Sequence, residues 1–357
     1  MQLMAVVKVN AYGHATVPAA RCAVQAGAGH LAVARVEEGM QLREGAIAAP
    51  ILVMGCTLPC DAPTLVERHL APTMNTLELA RALSSETRRR RVAPIPVHVK
   101  VDTGMGRFGL LPDEVLGFVR ALAGLPSLEL EALYTHFSVA DEADRSYTYQ
   151  QHQLFVDVLT RLSESGFRVG LAHEANSAAT LDMPATHLQM LRSGIALYGM
   201  RPSSEVEPAI PLRPAMSLHS RVARVRTLPA GSSISYGRTF VTSRPTRVAL
   251  VPLGYGEGYH RLLPNRGSVL IRGRRCPILG RVCMDQFVVD VSAVRDVTLD
   301  DEVVVLGRQG SEEISAEEIA ELAETISYEV TTSILPRVSR LYLQGGRVVE
   351  VHGLLIQ

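Results

Sequence analysis

The sequence predicts an α/β chain: an N-terminal (β/α)8 barrel of the TIM type followed by a C-terminal mostly-β domain. Three observations carry that expectation. Short apolar runs alternate with amphipathic stretches through residues 1–211. Several of those runs are continuously apolar, as strands buried on both faces of a parallel sheet must be. Past Pro211 the pattern changes to short valine-rich runs separated by Gly and Pro turns, which is the signature of a β domain. The expected domains are therefore 1–211 and 212–357.

In order, the barrel strands are expected in LMAVVKV (3–9), LAVA (31–34), ILVMG (51–55), LAPTM (70–74), IPVHVKV (95–101), LEALYTHF (130–137), VGLAHEA (169–175) and LQMLRSGI (188–195). Helices are expected between them, most plainly in PDEVLGFVRALAGL (112–125) and YQQHQLFVDVLTRLSES (149–165). Eight alternations suit a barrel of ~250 residues. A doubly wound open sheet competes, but no GxGxxG follows the first run. The second domain should contain strands in RVARVRTLPAG, RVALVPLGYG, SVLIRGRRCPILG, QFVVDVS and DEVVVLG. One helix, SAEEIAELAETI (315–326), opens on a Ser315 cap with Glu318 three residues on.

Composition excludes several function classes. Of 357 residues, 47% are hydrophobic and 20% charged, as in ordinary globular proteins. Lys+Arg and Asp+Glu each total 36, so the formal charge is zero and neither a nucleic-acid nor a membrane-surface partner is expected. The run Arg88–Arg91 reads as a solvated loop. The five cysteines form no CxxC pair, so no disulfide framework and no metal site is expected. No leader pattern stands out, and no apolar run approaches the ~18 residues that cross a bilayer, which makes a cytoplasmic location the expectation.

In a barrel of this kind the chemistry sits just beyond the strands, on the carboxyl-terminal face. The unusual residues fall there. Lys8 and Tyr12 follow the first strand, and Lys100 and Arg107 frame VDTGMGRFG after the fifth. His136 ends the sixth, Asn176 and Ser177 follow the seventh, and Arg192, Gly194 and Ile195 follow the eighth. Each has a plain structural reading: a solvated strand-end lysine, a satisfied core histidine, a capping serine, a paired arginine. Their convergence on one face favours a site. Asp102 reads as a turn residue and Cys283 as a buried structural thiol.

The segments KVNAYGHA, VDTGMGRFG, YTHFSVADE, ANSAAT, RSGIALYG, SYGRTF, GYGEGYHR, GRVCMDQ and SYEVTTSILPRVSRLY occur in order along the chain. Together they resemble bacterial alanine racemases, a family of pyridoxal-phosphate-dependent homodimers with shared active sites. The resemblance implies a two-base reaction that interconverts L- and D-alanine and supplies D-alanine for peptidoglycan. Lys8 would form the Schiff base and act on one face of the substrate, while Tyr236 from the partner subunit acts on the other. A tyrosine with a pKa of ~10 needs cationic neighbours to serve as a base, a role the resemblance gives to His136 and Arg192.

The other implied roles also rest on that resemblance. Arg192 would meet the pyridine nitrogen as a donor that keeps its own proton, which distinguishes racemisation from the decarboxylation run by related proteins with an acidic residue there. Tyr12, Asn176, Ser177, Gly194, Ile195 and Tyr342 would hold the cofactor, chiefly its phosphate, with His136 beside the ring. Arg107 would meet the phenolic oxygen and, with Met284 of the partner, the substrate carboxylate. Lys100 matches a lysine that is carbamylated in many members. Tyr255, Arg261, Arg281 and Asp285 would line the substrate entrance, and Tyr342 favours alanine over serine. Members usually carry a longer segment before the lysine; its absence here is expected to expose a strand edge and lower stability. The alternatives are a serine or broad-specificity racemase, a pyridoxal-phosphate decarboxylase, and a cofactor-binding barrel inactivated by its short start.

Overall fold

A computed structural model describes residues 1–263 and 265–353, and it divides into two compact units, Met1–Leu212 and Arg213–Gln357. The first is built on eight parallel strands: β1 (Gln2–Val6), β2 (His30–Val33), β3 (Ile51–Val53), β4 (Ala71–Met74), β5 (Ile95–Lys100), β6 (Leu128–Tyr134), β7 (Leu171–His173) and β8 (Met190–Ser193). They are hydrogen-bonded in the order β7-β6-β5-β4-β3-β2-β1-β8. Gln189 N donating to Ala172 O at 3.2 Å and Arg192 N to Ala175 O at 3.0 Å join the two ends. The strands are short because each crosses only the waist of a packed interior. Every residue of β3, β4 and β8 is buried, which is why their runs read as continuously apolar.

Helices connect the strands on the outside. Helix Ser146–Glu164 buries Thr148, Gln151, Phe155, Val158 and Leu162 at three- and four-residue spacing. Phe155 is fully buried, which contributes about 1.5–3 kcal/mol relative to leaving it in water. The arginine run is not a loop. Arg88–Arg90 form the last turn of helix Leu77–Arg90, where cations complement the helix dipole, and Arg89 and Arg90 both pair with Glu86. Beyond β8 the chain makes only a short 3₁₀ turn, Ile195–Tyr198.

The second unit contains β9 (Leu218–Arg221), β10 (Arg224–Leu228), β11 (Ser233–Ile234), β12 (Phe240–Val241), β13 (Thr246–Val251), β14 (Ser268–Ile271), β15 (Arg274–Leu279), β16 (Phe287–Asp290), β17 (Glu302–Gln309), β18 (Glu312–Ile314), β19 (Arg340–Gln344) and β20 (Arg347–His352). Eight of them form an antiparallel sheet in the order β10-β13-β16-β15-β14-β17-β18, with β9 also on β17. Helix Ala316–Leu322 starts as expected, with Ser315 Oγ accepting from Glu318 N at 3.1 Å. No helix among the described residues is long and apolar enough to cross a membrane.

Candidate active site

Immediately after β1 the backbone does something the sequence does not announce. Val9, Asn10, Ala11 and Tyr12 all have φ of 53°, so a stretch without glycine takes a left-handed turn. That conformation costs roughly 1–2 kcal/mol per residue and persists only where its surroundings impose it. Glu38 does much of the imposing: its carboxylate accepts from Val9 N at 2.5 Å, Ala34 N at 2.8 Å and Arg35 N at 3.1 Å. Asn10 Oδ1 accepts from Thr16 N at 3.2 Å and fixes the far end of the turn. Lys8 stands at its start. Burial first, then the Arg107 guanidinium, lowers its amine from the usual lysine range, with Glu38 opposing and Arg192 adding a little.

Tyr12 is carried inward by the same turn. Its ring lies 5.1 Å from that of Tyr198, whose hydroxyl donates to Val6 O at 2.9 Å. A Cβ added at Gly194 would lie 2.5 Å from Tyr12 Oη and 3.6 Å from Ser177 Oγ. Glycine is therefore required by this close approach. Ser177 Oγ accepts from Gly194 N at 2.8 Å and Ala196 N at 3.4 Å. Asn176 caps helix Ser177–Asp182, its Oδ1 accepting from Ala179 N at 3.1 Å. Two hydroxyls and the amides after β8 thus meet in a small neutral donor cradle, which fits a phosphate. Filling it with Gly194→Ala should weaken binding of a phosphate-bearing ligand about tenfold or more without unfolding the barrel; titration with such a ligand, beside a thermal melt, checks this.

Arg192 lies within β8 rather than after it, 3% exposed, and its guanidinium is fully committed on one side. Nη1 donates to His173 Nδ1 at 2.8 Å; Nη2 donates to Thr135 O at 2.8 Å, Glu174 O at 2.9 Å and His136 Nδ1 at 3.2 Å. Burial lowers it to about 10, which leaves it charged at neutral pH. Because an arginine can only donate, His136 and His173 must accept, so both imidazoles are neutral. Burial, with Arg192 next, pushes both well below the usual histidine range. This corrects the expectation of a cationic His136. The strand positions carrying these groups lie on the inward face, and buried Tyr134 stacks on His173 at 4.8 Å.

Lys100 closes β5 and is 2% exposed. Its Nζ donates to Phe108 O at 2.8 Å and sits 3.9 Å above the Phe108 ring. Burial, then Arg107, lowers it to about 8. Arg107 itself is exposed, in a loop whose turn is held by Asp102 Oδ1 accepting from Gly104 N and Gly106 N at 3.0 Å each. Asp102 is thus a turn residue, as expected. Glu174, 0% exposed, is pushed up to about 8 by burial and hydrogen-bonds His152 Nδ1 at 2.5 Å.

The remaining candidates belong to the second unit, where loops bring distant segments together. Ser235 Oγ donates to Arg281 O at 2.5 Å and lies 3.3 Å from Cys283 Sγ. Tyr255 N donates to Cys283 O at 3.1 Å, and Gly256 N to Met284 O at 2.6 Å. A Cβ at Gly254 would lie 2.3 Å from Cys283 O, which explains the glycine in GYGEGYHR. Tyr236, Tyr255, Arg281, Met284 and Asp285 therefore flank one loop cluster, with Tyr236 72% and Met284 58% exposed. Cys283 is a free thiol, half-buried rather than buried as expected. Arg261 is exposed in a turn, and Tyr342 sits in β19 opposite Glu350. Sequence reasoning missed Glu38, His98, Glu131 and His173. The one available signal was the two-residue spacing that puts His98 on the same strand face as Lys100.

Residues 1–202 match the family profile described as alanine racemase, N-terminal domain, and residues 215–342 that described as alanine racemase, C-terminal domain. Alanine racemases from Halothermothrix orenii and Symbiobacterium thermophilum are 45% and 48% identical to the chain, each over 96% of it and 90% of the relative. The crystal structure of alanine racemase from Bacillus anthracis with bound L-Ala-P is 41% identical with a TM-score of 0.92, covering 99% of this chain and 91% of that one.

Proposed function

The chain belongs to the alanine racemase family, and on that premise we propose that it interconverts L-alanine and D-alanine with pyridoxal 5'-phosphate. The observation that carries this reading is Lys8, a lysine of lowered basicity on a strained turn, in the same strand-end face as the donor cradle and the buried Arg192. When bound, the cofactor would supply an electron sink for the charge left on the substrate's α-carbon.

The chain's own residues divide the rest. Tyr12, Ser177 and the amides of Gly194 and Ile195 would hold the phosphate, with Asn176 setting the helix start beside them and Tyr342 adding a hydroxyl. Arg192 would aim a permanent donor at the pyridine nitrogen without surrendering its proton, which moderates the sink and favours return of a proton to carbon. Neutral His136 would pack beside the ring. Arg107 and the Met284 backbone of the partner would orient the substrate carboxylate. The unprotonated fraction that Lys100 has near pH 8 is the form able to add carbon dioxide, so its carbamylation is part of the proposal.

Moving the α-proton from one face to the other needs two bases. The lowered Lys8 amine serves one face. Tyr236 of the partner subunit serves the other in a homodimer, within an entrance formed by Tyr255, Arg261, Arg281 and Asp285. Exposure of Tyr236 and Met284 together supports a surface that another copy covers. The product would feed cell-wall peptidoglycan in the cytoplasm. Chiral chromatography of L-alanine incubated with protein and cofactor tests the proposal: D-alanine accumulates to an equal mixture. Because Tyr236 is so exposed, Tyr236→Phe should fold normally yet slow the reaction about 10²–10⁴-fold. An unchanged rate in Tyr236→Phe would remove it from the mechanism.

A further inference from the structure

Arg192 is a buried cation, and among the described residues no carboxylate meets its guanidinium. Its four acceptors are two imidazole nitrogens and two backbone carbonyls. The adjacent Glu174 supplies only its carbonyl, and burial favours the protonated form of its side chain. A buried charge needs compensation somewhere. The hydrogen bonds show where it comes from. His173 Nε2 is 3.1 Å from His98 Nδ1, and His98 Nε2 is 2.8 Å from Glu131 Oε2.

The direction of this chain follows from Arg192 alone. The guanidinium has donors only, so His173 Nδ1 accepts and its proton is on Nε2. That proton points to His98 Nδ1, which must accept in turn. His98 therefore carries its proton on Nε2 and donates to Glu131. All links run one way, Arg192 to His173 to His98 to the carboxylate, with both imidazoles neutral. We infer that Glu131 is a positioning residue for the reaction, the remote counter-ion of Arg192, acting through His98 and His173 to keep the guanidinium charged and oriented toward the cofactor ring.

The location makes this possible. Glu131 and His98 line a pocket with His30, Pro50, His69 and Pro96. His30 opens β2, Pro50 and His69 precede β3 and β4, and Pro96 is near the start of β5, so the pocket lies at the amino-terminal end of the barrel. The relay thus crosses the interior from the catalytic face to the opposite one. There the Glu131 side chain is 28% exposed, so its charge stays hydrated while its proton-accepting oxygen reaches inward. His30, whose Nε2 lies 4.0 Å away, and His98, which hydrogen-bonds the carboxylate at 2.8 Å, together hold the carboxyl down to about 2. A carboxylate placed directly on Arg192 would neutralise the donor at the ring; two imidazoles between them spread the compensation over the barrel core.

This inference rests on the reading that Arg192 faces the cofactor ring, and its test separates the two. In holoenzyme with ¹⁵N-labelled histidine, nitrogen shifts report which ring nitrogen carries hydrogen. The relay requires His98 and His173 to be neutral Nε2–H tautomers from about pH 6 to 8. An Nδ1–H tautomer or an imidazolium at either position overturns it, whether or not the protein racemises alanine. Glu131→Gln keeps an accepting oxygen but removes the charge. The expected result is a shifted His173 Nδ1 resonance and a kcat lower by about tenfold at unchanged KM, the scale on which supporting contacts act. Wild-type kcat and wild-type His173 shifts in Glu131→Gln would also overturn it. If that variant does not fold, the wild-type tautomers decide alone.

Discussion

Lys8→Ala leaves no measurable racemisation, a loss of about 10³-fold or more in kcat/KM, while the protein stays folded. On the proposed function two roles would disappear together, the amine that attaches the cofactor and the base on one face of the substrate, so their effects would merge into a single near-total loss. The stability expectation has the opposite sign. Lys8 is half-buried, and that burial, with the Arg107 guanidinium next, already disfavours its charged form. Removing the amine relieves that cost, so the thermal midpoint of cofactor-free Lys8→Ala should equal or exceed the wild-type value. A spectrum showing cofactor absorbance that survives dialysis in Lys8→Ala would contradict covalent attachment at this residue.

Arg192→Met has the largest expected effect on stability. The thioether preserves bulk but donates nothing, so His173 Nδ1, His136 Nδ1, Thr135 O and Glu174 O all lose their partner at once. Each buried acceptor left without its donor costs roughly 1–3 kcal/mol, and Glu131 would face a relay with no cation at its other end. Urea denaturation of the two proteins at one pH measures the difference. Arg192→Lys should recover only part of it, since one ammonium cannot reach the acceptors a planar guanidinium spans. A loss below about 1 kcal/mol in Arg192→Met would mean that water or a rearranged histidine replaces the arginine without difficulty.

Much of this architecture is legible in the sequence for a physical reason: parallel strands buried on both faces have to be continuous apolar runs. The residues that interrupt those runs at their carboxyl ends, Lys8, Lys100, His136 and Arg192, stand out for the same reason. Helix Ser146–Glu164 is legible from its spacing, and Asp102 from its turn chemistry. The left-handed turn over Val9–Tyr12 is not legible. Local propensity opposes it, and it is imposed largely by Glu38, about thirty positions away. The Arg88–Arg91 run misleads because charge alone does not distinguish a loop from a helix end paired to Glu86.

The relay from Arg192 to Glu131 is hidden for a different reason. Its links join β8 to β7, β7 to β5 and β5 to β6, so no window of sequence contains it. Only barrel closure brings those strands' inward faces together. The neutral state of His136 is equally invisible in sequence, since it follows from an arginine 56 positions on whose donors it must accept.

The most direct test of the two-base account is the first turnover of L-alanine in heavy water. With Lys8 and Tyr236 on opposite faces, the group that delivers hydrogen to D-alanine is not the one that removed it and carries solvent deuterium. Mass spectrometry at low conversion should therefore find the D-alanine formed deuterated at the α-carbon while the remaining L-alanine is largely protiated. D-alanine that retains its original hydrogen would mean one base serves both faces, and it would contradict the assignment of Lys8 and Tyr236 to separate roles.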